Sequence, residues 1–139
     1  MKEALKEALY AFEEDEVPIG AVVVAKNRII AKGHNQVEKL KDPTAHAEMI
    51  ALTAATNALN SKYLEDCTIY ITVEPCLMCA TALFWSKIPQ IVFGASDNRY
   101  GFTNFAANTL FPASIEIVSG IEKETCSQLM KDFFKQKRK

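Results

Sequence analysis

Four side chains of this sequence could together do chemistry on a substrate. His46 and Glu48 are separated by one residue, and Cys76 and Cys79 follow later with two residues between them. One histidine and two cysteines can hold three corners of a tetrahedral zinc ion, and a water molecule can take the fourth. A nearby carboxylate can then move the protons of that water. We therefore predict a hydrolytic zinc site, because structural zinc sites usually have four protein ligands.

Both pairs of residues are expected at helix N-termini. A proline and a capping-type threonine at positions 43 and 44 predict the start of a helix, with His46 and Glu48 in its first turn. Pro75 suits the first position of a second helix, on which Cys76 and Cys79 share one face. The backbone N–H groups and the helix dipole favour negative charge there, can help to hold Glu48 ionised, and stabilise thiolates. The zinc site is thus predicted between the N-termini of two helices.

The remaining sequence alternates between strand and helix patterns. Apolar residues at helical spacing and runs of β-branched residues predict helices over 2–14, 45–57, 76–85 and 122–137, and strands over 19–25, 28–32, 67–73, 90–94 and 114–118. The turn at Lys26 and Asn27 suits a β-hairpin. Strands that alternate with helices from residue 67 onward indicate an α/β fold with some parallel pairing. For a chain of 139 residues we expect a single domain, 1–139.

The composition is that of a globular protein. Hydrophobic residues make up 49% of the sequence and charged residues 24%, and no apolar run approaches the length of a membrane-spanning helix. The first residues lack the apolar core of a signal peptide. We therefore expect a cytoplasmic protein with no membrane association and with reduced cysteines. Cys67 and Cys126 are predicted to be buried thiols of the core.

The charge is distributed unevenly, although its net value is only −1. Basic side chains cluster at the C-terminal end, at Lys131, Lys135, Lys137, Arg138 and Lys139. A solvated helix end would explain this cluster as well as RNA binding does, because cations suit a helix C-terminus. If the chain binds phosphates, we expect them at this end.

The segment from Asp97 to about residue 112 is predicted to be a binding loop. It mixes aromatic and polar side chains, a mixture typical of loops that contact a ligand: Arg99, Tyr100, Phe102, Asn104, Phe105 and Asn108. Phe133 and Phe134 are consecutive on the last predicted helix and so point about 100° apart. We expect one of them in the core and the other free to reach a substrate.

The predicted zinc ligands and Glu48 lie in stretches by which the sequence resembles the bacterial tRNA adenosine deaminase family of the cytidine deaminase superfamily. The pattern H-x-E followed by P-C-x-x-C is the signature of zinc-dependent nucleobase deaminases. The likeness covers nearly the whole chain, and its stretches are EVPIGAV at 16–22, DPTAHAE at 42–48, VEPCLMC at 73–79, VFGA at 92–95 with the aspartate at 97, and DFF at 132–134. Each stretch alone is a weak signal, but together they are specific.

The resemblance implies a three-layer α/β/α cytidine deaminase-like fold with a mixed five-stranded sheet, a homodimer, and one zinc ion per subunit. It implies that the protein hydrolyses adenosine to inosine at the wobble position of a tRNA anticodon stem-loop. The implied site residues are the zinc ligands His46, Cys76 and Cys79, the proton shuttle Glu48, and the substrate-binding residues Asn35, Asp97, Arg99 and Phe134.

The segment 98–105 departs from the glycine- and alanine-rich loop that the resemblance leads us to expect after the aspartate. Because this loop helps to form the rim over the substrate, the departure concerns nucleotide contacts and the choice of tRNA rather than the zinc chemistry. Arg99 stands where family members usually have a basic residue and could meet a phosphate.

Other interpretations remain open from the sequence. A small-molecule deaminase acting on guanine, cytosine or a nucleoside would need the same ligands and glutamate but no phosphate-binding surface. A non-catalytic RNA-binding subunit could keep the fold, although the presence of Glu48 beside a full ligand set argues against it. His34 is expected at the surface or beside the pocket rather than on zinc, and Met78 and Trp85 are expected in the core or at a dimer contact.

Overall fold

The computed structural model describes residues 1–106 and 109–138, so that Asn108 and Lys139, named above, lie outside the described residues. The elements follow in the order α1 (Lys2–Glu13), β1 (Gly20–Ala25), β2 (Arg28–His34), α2 (Val37–Leu40), α3 (Ala47–Leu59), β3 (Cys67–Val73), α4 (Leu77–Ser86), β4 (Gln90–Ala95), α5 (Thr103–Ala106), β5 (Glu116–Val118) and α6 (Lys123–Lys137). Within these ranges, no helix has the length and apolar character needed to cross a membrane.

The strands form one mixed sheet in the spatial order β2-β1-β3-β4-β5. Strand β1 pairs antiparallel with β2 and β3, whereas β3 with β4 and β4 with β5 are parallel pairs. The predicted hairpin is confirmed, because Lys26 and Asn27 have φ angles of 52° and 61°, the conformation of a tight two-residue turn. The mixed five-stranded sheet with helices confirms the predicted fold class.

Helices cover both faces of the sheet. On one face α1 packs on β1 and β2, and α6 packs on β4, with Phe12 of α1 meeting Phe133 of α6 edge to face. The larger core lies on the other face, where apolar side chains of α3 and α4 meet alternate residues of the strands, among them Ile69 and Ile71. Cys67 and Cys126 are buried free thiols, as predicted.

The helix that carries His46 and Glu48 lies unusually close to the sheet. A Cβ atom at Gly33 would come within 2.7 Å of the Ala47 carbonyl oxygen and 2.8 Å of the Ala51 nitrogen. Only glycine leaves room for this approach of backbone to backbone. The first turn of α3 is thereby held against β2.

Several predicted boundaries differ from the structure. The helix predicted over 45–57 begins instead at Ala47, because Asp42 accepts hydrogen bonds from the Thr44 N–H and O–H in a turn that precedes the helix. The predicted loop from 97 to 112 contains the short helix α5, and the polar segment after β2 contains α2. Strand β5 is shorter than predicted, beginning at residue 116.

Candidate active site

Two helix N-termini bring the predicted zinc ligands together. His46 is the N-cap residue of α3, Cys76 is the N-cap residue of α4, and Cys79 lies in the first turn of α4. The ligand atoms of these three residues all lie within 4.8 Å of one another, the one such group of three or more found among the described residues. The placement of the site between the N-termini of two helices agrees with the prediction.

The spacing of the three ligand atoms fits a zinc ion. His46 Nδ1 lies 3.6 Å from Cys76 Sγ and 3.5 Å from Cys79 Sγ. Zinc bonds of about 2.0–2.1 Å to nitrogen and about 2.3 Å to sulfur, at tetrahedral angles, place a nitrogen and a sulfur ligand about 3.6 Å apart. The protein therefore presents three corners of a tetrahedral site in the required geometry.

Glu48 lies at the same place without being one of the three ligands. Its side chain is buried, and Oε1 has no hydrogen-bond partner among the described protein groups. A buried carboxylate oxygen without a partner is costly, and so it marks a position built for a group that the protein does not itself supply. A water on the fourth corner of a tetrahedral metal site would need such a hydrogen-bond acceptor, and Glu48 Oε1 lies beside the three ligands.

The pKa of Glu48 is set by two opposing effects. Burial raises its pKa to about 7, the Cys76 thiolate adding to the rise. A backbone N–H hydrogen bond at the helix N-terminus lowers this pKa, in the predicted direction, but loss of water has the larger effect. A pKa near neutrality suits a group that both takes and gives a proton at physiological pH.

The pKa values of the two cysteine thiols are shifted in opposite directions. The hydrogen bond from Cys79, followed by that from His46, lowers the pKa of Cys76 to about 4. The same Cys76–Cys79 contact, together with burial, raises the pKa of Cys79. The hydrogen bond to Cys76 raises the pKa of His46. A thiolate at Cys76 agrees with the prediction, and a divalent cation would compete for the remaining proton at Cys79.

The ligands lie at the floor of a cleft of about 1590 Å³. His46, Glu48 and Cys76 line it, and so do all four predicted substrate-binding residues, which come from three different parts of the chain: Asn35, Asp97 with Arg99, and Phe134. Small-molecule sites commonly enclose about 300–1,000 Å³, so this cleft has room for more than one nucleobase. Their roles stay predictions, but the structure places all four around one site.

The individual environments of these residues differ. Asn35 is buried beside the floor, and its N–H donates to the Ile19 carbonyl at 3.1 Å, while its side chain makes no hydrogen bond to the described residues. Asp97 instead uses Oδ1 to accept from the N–H groups of Arg99 and Tyr100. Its carboxylate therefore shapes the loop.

Phe133 and Phe134 of α6 differ in burial, as expected for consecutive helix residues that point about 100° apart. Phe133 is buried against Phe12 and Phe134 is 42% exposed, and both contribute to the lining of the cleft. His34 belongs to neither the metal group nor the cleft lining, since its ring nitrogens contact Glu7 and Glu14 at 3.1 and 2.8 Å. It ties β2 to α1 near the buried Asn35.

Basic side chains of α6 reach the mouth of the cleft. Lys131, Lys137 and Arg138 line it, as expected for a basic C-terminal end that meets phosphates. Lys137 Nζ also pairs with the carboxylate of Asp15 at 2.6 Å, a contact between the end of α6 and the turn after α1. Both partners are largely exposed, so this ion pair contributes little to stability.

Two buried glutamates with a part in the site were missed in the sequence. Glu16 accepts hydrogen bonds from the N–H groups of Glu38 and Lys39, and so fixes the start of α2 beside the cleft. Glu74 accepts three hydrogen bonds from the segment 97–103 on the cleft rim. Both residues occur in stretches that carry the family resemblance. For Glu74 the available signal was an acid between the apolar strand and Pro75, whereas Glu16 ends an acidic run that hides it.

Comparison with known proteins agrees with the geometry of the metal centre. The sequence profile of the cytidine and deoxycytidylate deaminase zinc-binding region matches residues 1–95, which include all three ligands and Glu48. The tRNA-specific adenosine deaminase of Aquifex aeolicus is 46% identical over 99% of this chain and 93% of its own length. The chain belongs to the tRNA-specific adenosine deaminase family. Its metal is therefore zinc, held in a deaminase domain.

Solved structures give the same family assignment. A structure from a study of A-to-I editing by tRNA:A34 deaminases at the wobble position has a TM-score of 0.86 and 37% identity, covering 93% of this chain and 96% of that one. The guanine deaminase of Bacillus subtilis is more distant, with a TM-score of 0.68 and 28% identity over 94% of this chain and 90% of its own. This family member is thus closer to the tRNA deaminase than to the guanine deaminase.

Replacing Cys79 tests the ligand set. We expect Cys79→Ser to bind zinc substoichiometrically after dialysis, because the weaker oxygen ligand replaces one of three protein donors. Cys126→Ala is the matched control, since Cys126 is equally buried but lies on the other face of the sheet, and it should keep one zinc per chain. Metal analysis of both variants decides the matter. Full zinc occupancy in Cys79→Ser would contradict the assignment.

Proposed function

We propose that this protein catalyses the zinc-dependent hydrolytic deamination of adenosine to inosine at the wobble position of a tRNA anticodon. The observation that carries the proposal is the orphaned Glu48 carboxylate beside a three-ligand site, in a cleft whose lining includes the cations Arg99, Lys131 and Arg138. The family membership supports the same reaction, since the relatives are named tRNA-specific adenosine deaminases. We assign the protein to the cytoplasm, where such a substrate occurs.

The chain's own residues account for the proton transfers of this reaction. His46, Cys76 and Cys79 would hold a zinc ion, which would supply Lewis-acid activation of a water molecule. Glu48 takes a proton from that water and delivers protons to the ring nitrogen and to the departing ammonia. A bond forms between C6 of adenine and the water oxygen, and the bond from C6 to the amino nitrogen breaks, so water and adenosine give inosine and ammonia.

The remaining predicted residues hold the substrate. Asn35, buried and with a free side-chain amide facing the cleft, is proposed to hydrogen-bond the adenine base. Phe134 offers an exposed aromatic surface to the extruded nucleotide, and Arg99 offers a cation to its phosphate. Asp97 supports the substrate through the loop whose turn it forms.

A small-molecule deaminase is the second candidate. The likeness to the Bacillus subtilis guanine deaminase favours it, since such an enzyme would need the same ligands and acid. The two candidates differ in their need for phosphate contacts, because RNA binding weakens steeply with salt whereas binding of a free base does not.

An assay with an anticodon stem-loop separates the two. The zinc-loaded protein should convert adenosine at the wobble position to inosine, with kcat/KM falling steeply between about 50 and about 200 mM salt. Glu48→Ala should keep its zinc and lose activity by at least about 10²-fold to 10⁴-fold, the contribution of general acid-base catalysis. A stem-loop with adenosine only in the stem is the control. Absence of inosine, or strong turnover of free guanine that salt leaves unchanged, would contradict the proposal.

We also propose that the protein acts as a homodimer. Helix α4 presents apolar side chains to solvent, with Trp85 69% exposed and Leu77, Met78 and Phe84 each more than one-third exposed. Met78 and Trp85 are therefore not core residues. Of the two roles expected for them, core packing or a dimer contact, only the dimer contact remains. An exposed apolar helix face next to the zinc ligands is the kind of surface that a second copy would cover.

Sedimentation analysis tests the dimer. Trp85→Glu should shift the protein from dimer to monomer, because a carboxylate would be buried without a partner in the contact. Tyr10→Glu, a change at an exposed aromatic residue of α1, is the control and should leave the dimer intact. A wild-type protein that sediments as a monomer at micromolar concentration would refute the dimer.

A further inference from the structure

The rim segment 97–103, most of which lies in the stretch 98–105 that departs from the family pattern, presents an exposed aromatic residue at the cleft. Tyr100 is 57% exposed and lines the cleft together with its neighbour Arg99. The Arg99 guanidinium carbon lies 5.2 Å from the centre of the Tyr100 ring. A tyrosine with a cation over its ring and more than half its surface free is a platform on which a nucleobase can stack.

The platform is held rigidly by a buried carboxylate. Glu74 Oε1 accepts from the Asp97 N–H at 3.1 Å, and Oε2 accepts from the N–H and O–H of Thr103 at 3.0 and 2.7 Å. These bonds fix the segment on both sides of Tyr100. Because every partner is a donor, an amide in place of the carboxylate would direct an NH₂ group at another donor.

Close packing removes the remaining freedom of the segment. A Cβ atom on Gly101 would come within 2.2 Å of Glu74 Oε2 and 2.6 Å of the Asp97 carbonyl oxygen. The next residue, Phe102, is buried and donates its N–H to the Pro75 carbonyl at 2.9 Å. The rim is thereby joined to the residues directly before the ligand Cys76, so that Tyr100 has a fixed position relative to the metal site.

We propose that Tyr100 stacks on the nucleobase next to the deaminated adenosine, and that Glu74 is the positioning residue that holds Tyr100 in place. The inference rests on the proposed function. The occupant is a nucleobase rather than an apolar side chain of a protein, because the cleft lining includes Arg99, Lys131 and Arg138, cations that complement phosphates, alongside the acidic Glu14, Asp15 and Glu38 and the Lys137 that pairs with Asp15. A pre-ordered platform also avoids the entropic cost of ordering a loop when RNA binds.

Substitutions of Tyr100 test the stacking. Tyr100→Ala should raise KM for the anticodon stem-loop about tenfold, in the range expected for one stacked base, and leave kcat within about twofold. Tyr100→Phe keeps the ring and should match the wild type. Phe105→Ala is the matched control, since Phe105 is 62% exposed on the following helix and is absent from the described cleft lining. An unchanged KM in Tyr100→Ala, or an equal rise in Phe105→Ala, would overturn the proposal.

A substrate change identifies the stacked base. Stem-loops that lack the base on either side of the target adenosine are compared in a binding assay by fluorescence anisotropy. One of these two stem-loops should bind the wild type about tenfold more weakly than the intact stem-loop does. Tyr100→Ala should bind that stem-loop and the intact one equally well, because the variant has already lost the stacking contact. Fully additive losses for both stem-loops would refute the stacking. This assay needs no turnover, so it decides the stacking even if the wild type makes no inosine, a result that would refute the proposed function itself.

The role of Glu74 is tested through its coupling to Tyr100. Glu74→Gln should keep one zinc per chain and raise KM for the stem-loop, and in the double variant with Tyr100→Ala it should add almost nothing. Thr103→Val, which removes one donor from the same carboxylate, serves as a second variant if Glu74→Gln does not fold. Independent, additive effects on KM would show that Glu74 does not act through Tyr100.

Discussion

The site depends on a carboxylate that the protein buries without satisfying. Glu48 is almost fully removed from water, and one of its oxygens has no partner among the described residues. An unsatisfied buried polar group costs about 1–3 kcal/mol, a large fraction of the stability of a small domain. Among the described residues, this acceptor lies where three metal ligands converge, so a water bound there would satisfy it and remove that cost.

Close backbone packing and buried acids elsewhere in the fold hold Glu48 and the metal ligands in place. Gly33 lets α3 approach β2 at backbone distance, which fixes the helix turn that carries Glu48. Strand β3 leads into Cys76, whose partner Cys79 is one turn further along α4. Two further buried acids, Glu16 and Glu74, hold the walls of the cleft by accepting backbone N–H bonds. Buried carboxylates thus occupy two kinds of position here: Glu48 beside the metal ligands, where we propose proton transfer, and Glu16 and Glu74 in the walls of the cleft.

Sequence reasoning reached the metal site because its information is local. The separation of two residues between Cys76 and Cys79, together with a proline before them, defines a helix start, and His46 with Glu48 defines another. The strands were predictable from β-branched runs, and the tight turn at Lys26 and Asn27 from turn chemistry.

Features set by tertiary packing were not accessible in the same way. The pKa of Glu48 depends on how completely the fold excludes water, which no pattern of neighbours in the chain reveals. The hydrogen bonds of Glu74 join residues more than twenty positions apart, and the exposure of Trp85 depends on which face of α4 meets the sheet. The loop after Asp97 was correctly predicted to lie at the site, but its short helix was not.

X-ray absorption at the zinc edge tests the central claim, that Glu48 serves a water at an open zinc position rather than binding the metal. The account predicts two sulfur ligands at about 2.3 Å and two nitrogen or oxygen ligands at about 2.0–2.2 Å in the wild type. The same shell should be found in Glu48→Ala, because the oxygen ligand is water. A third sulfur ligand, or loss of the oxygen ligand in Glu48→Ala, would contradict the account.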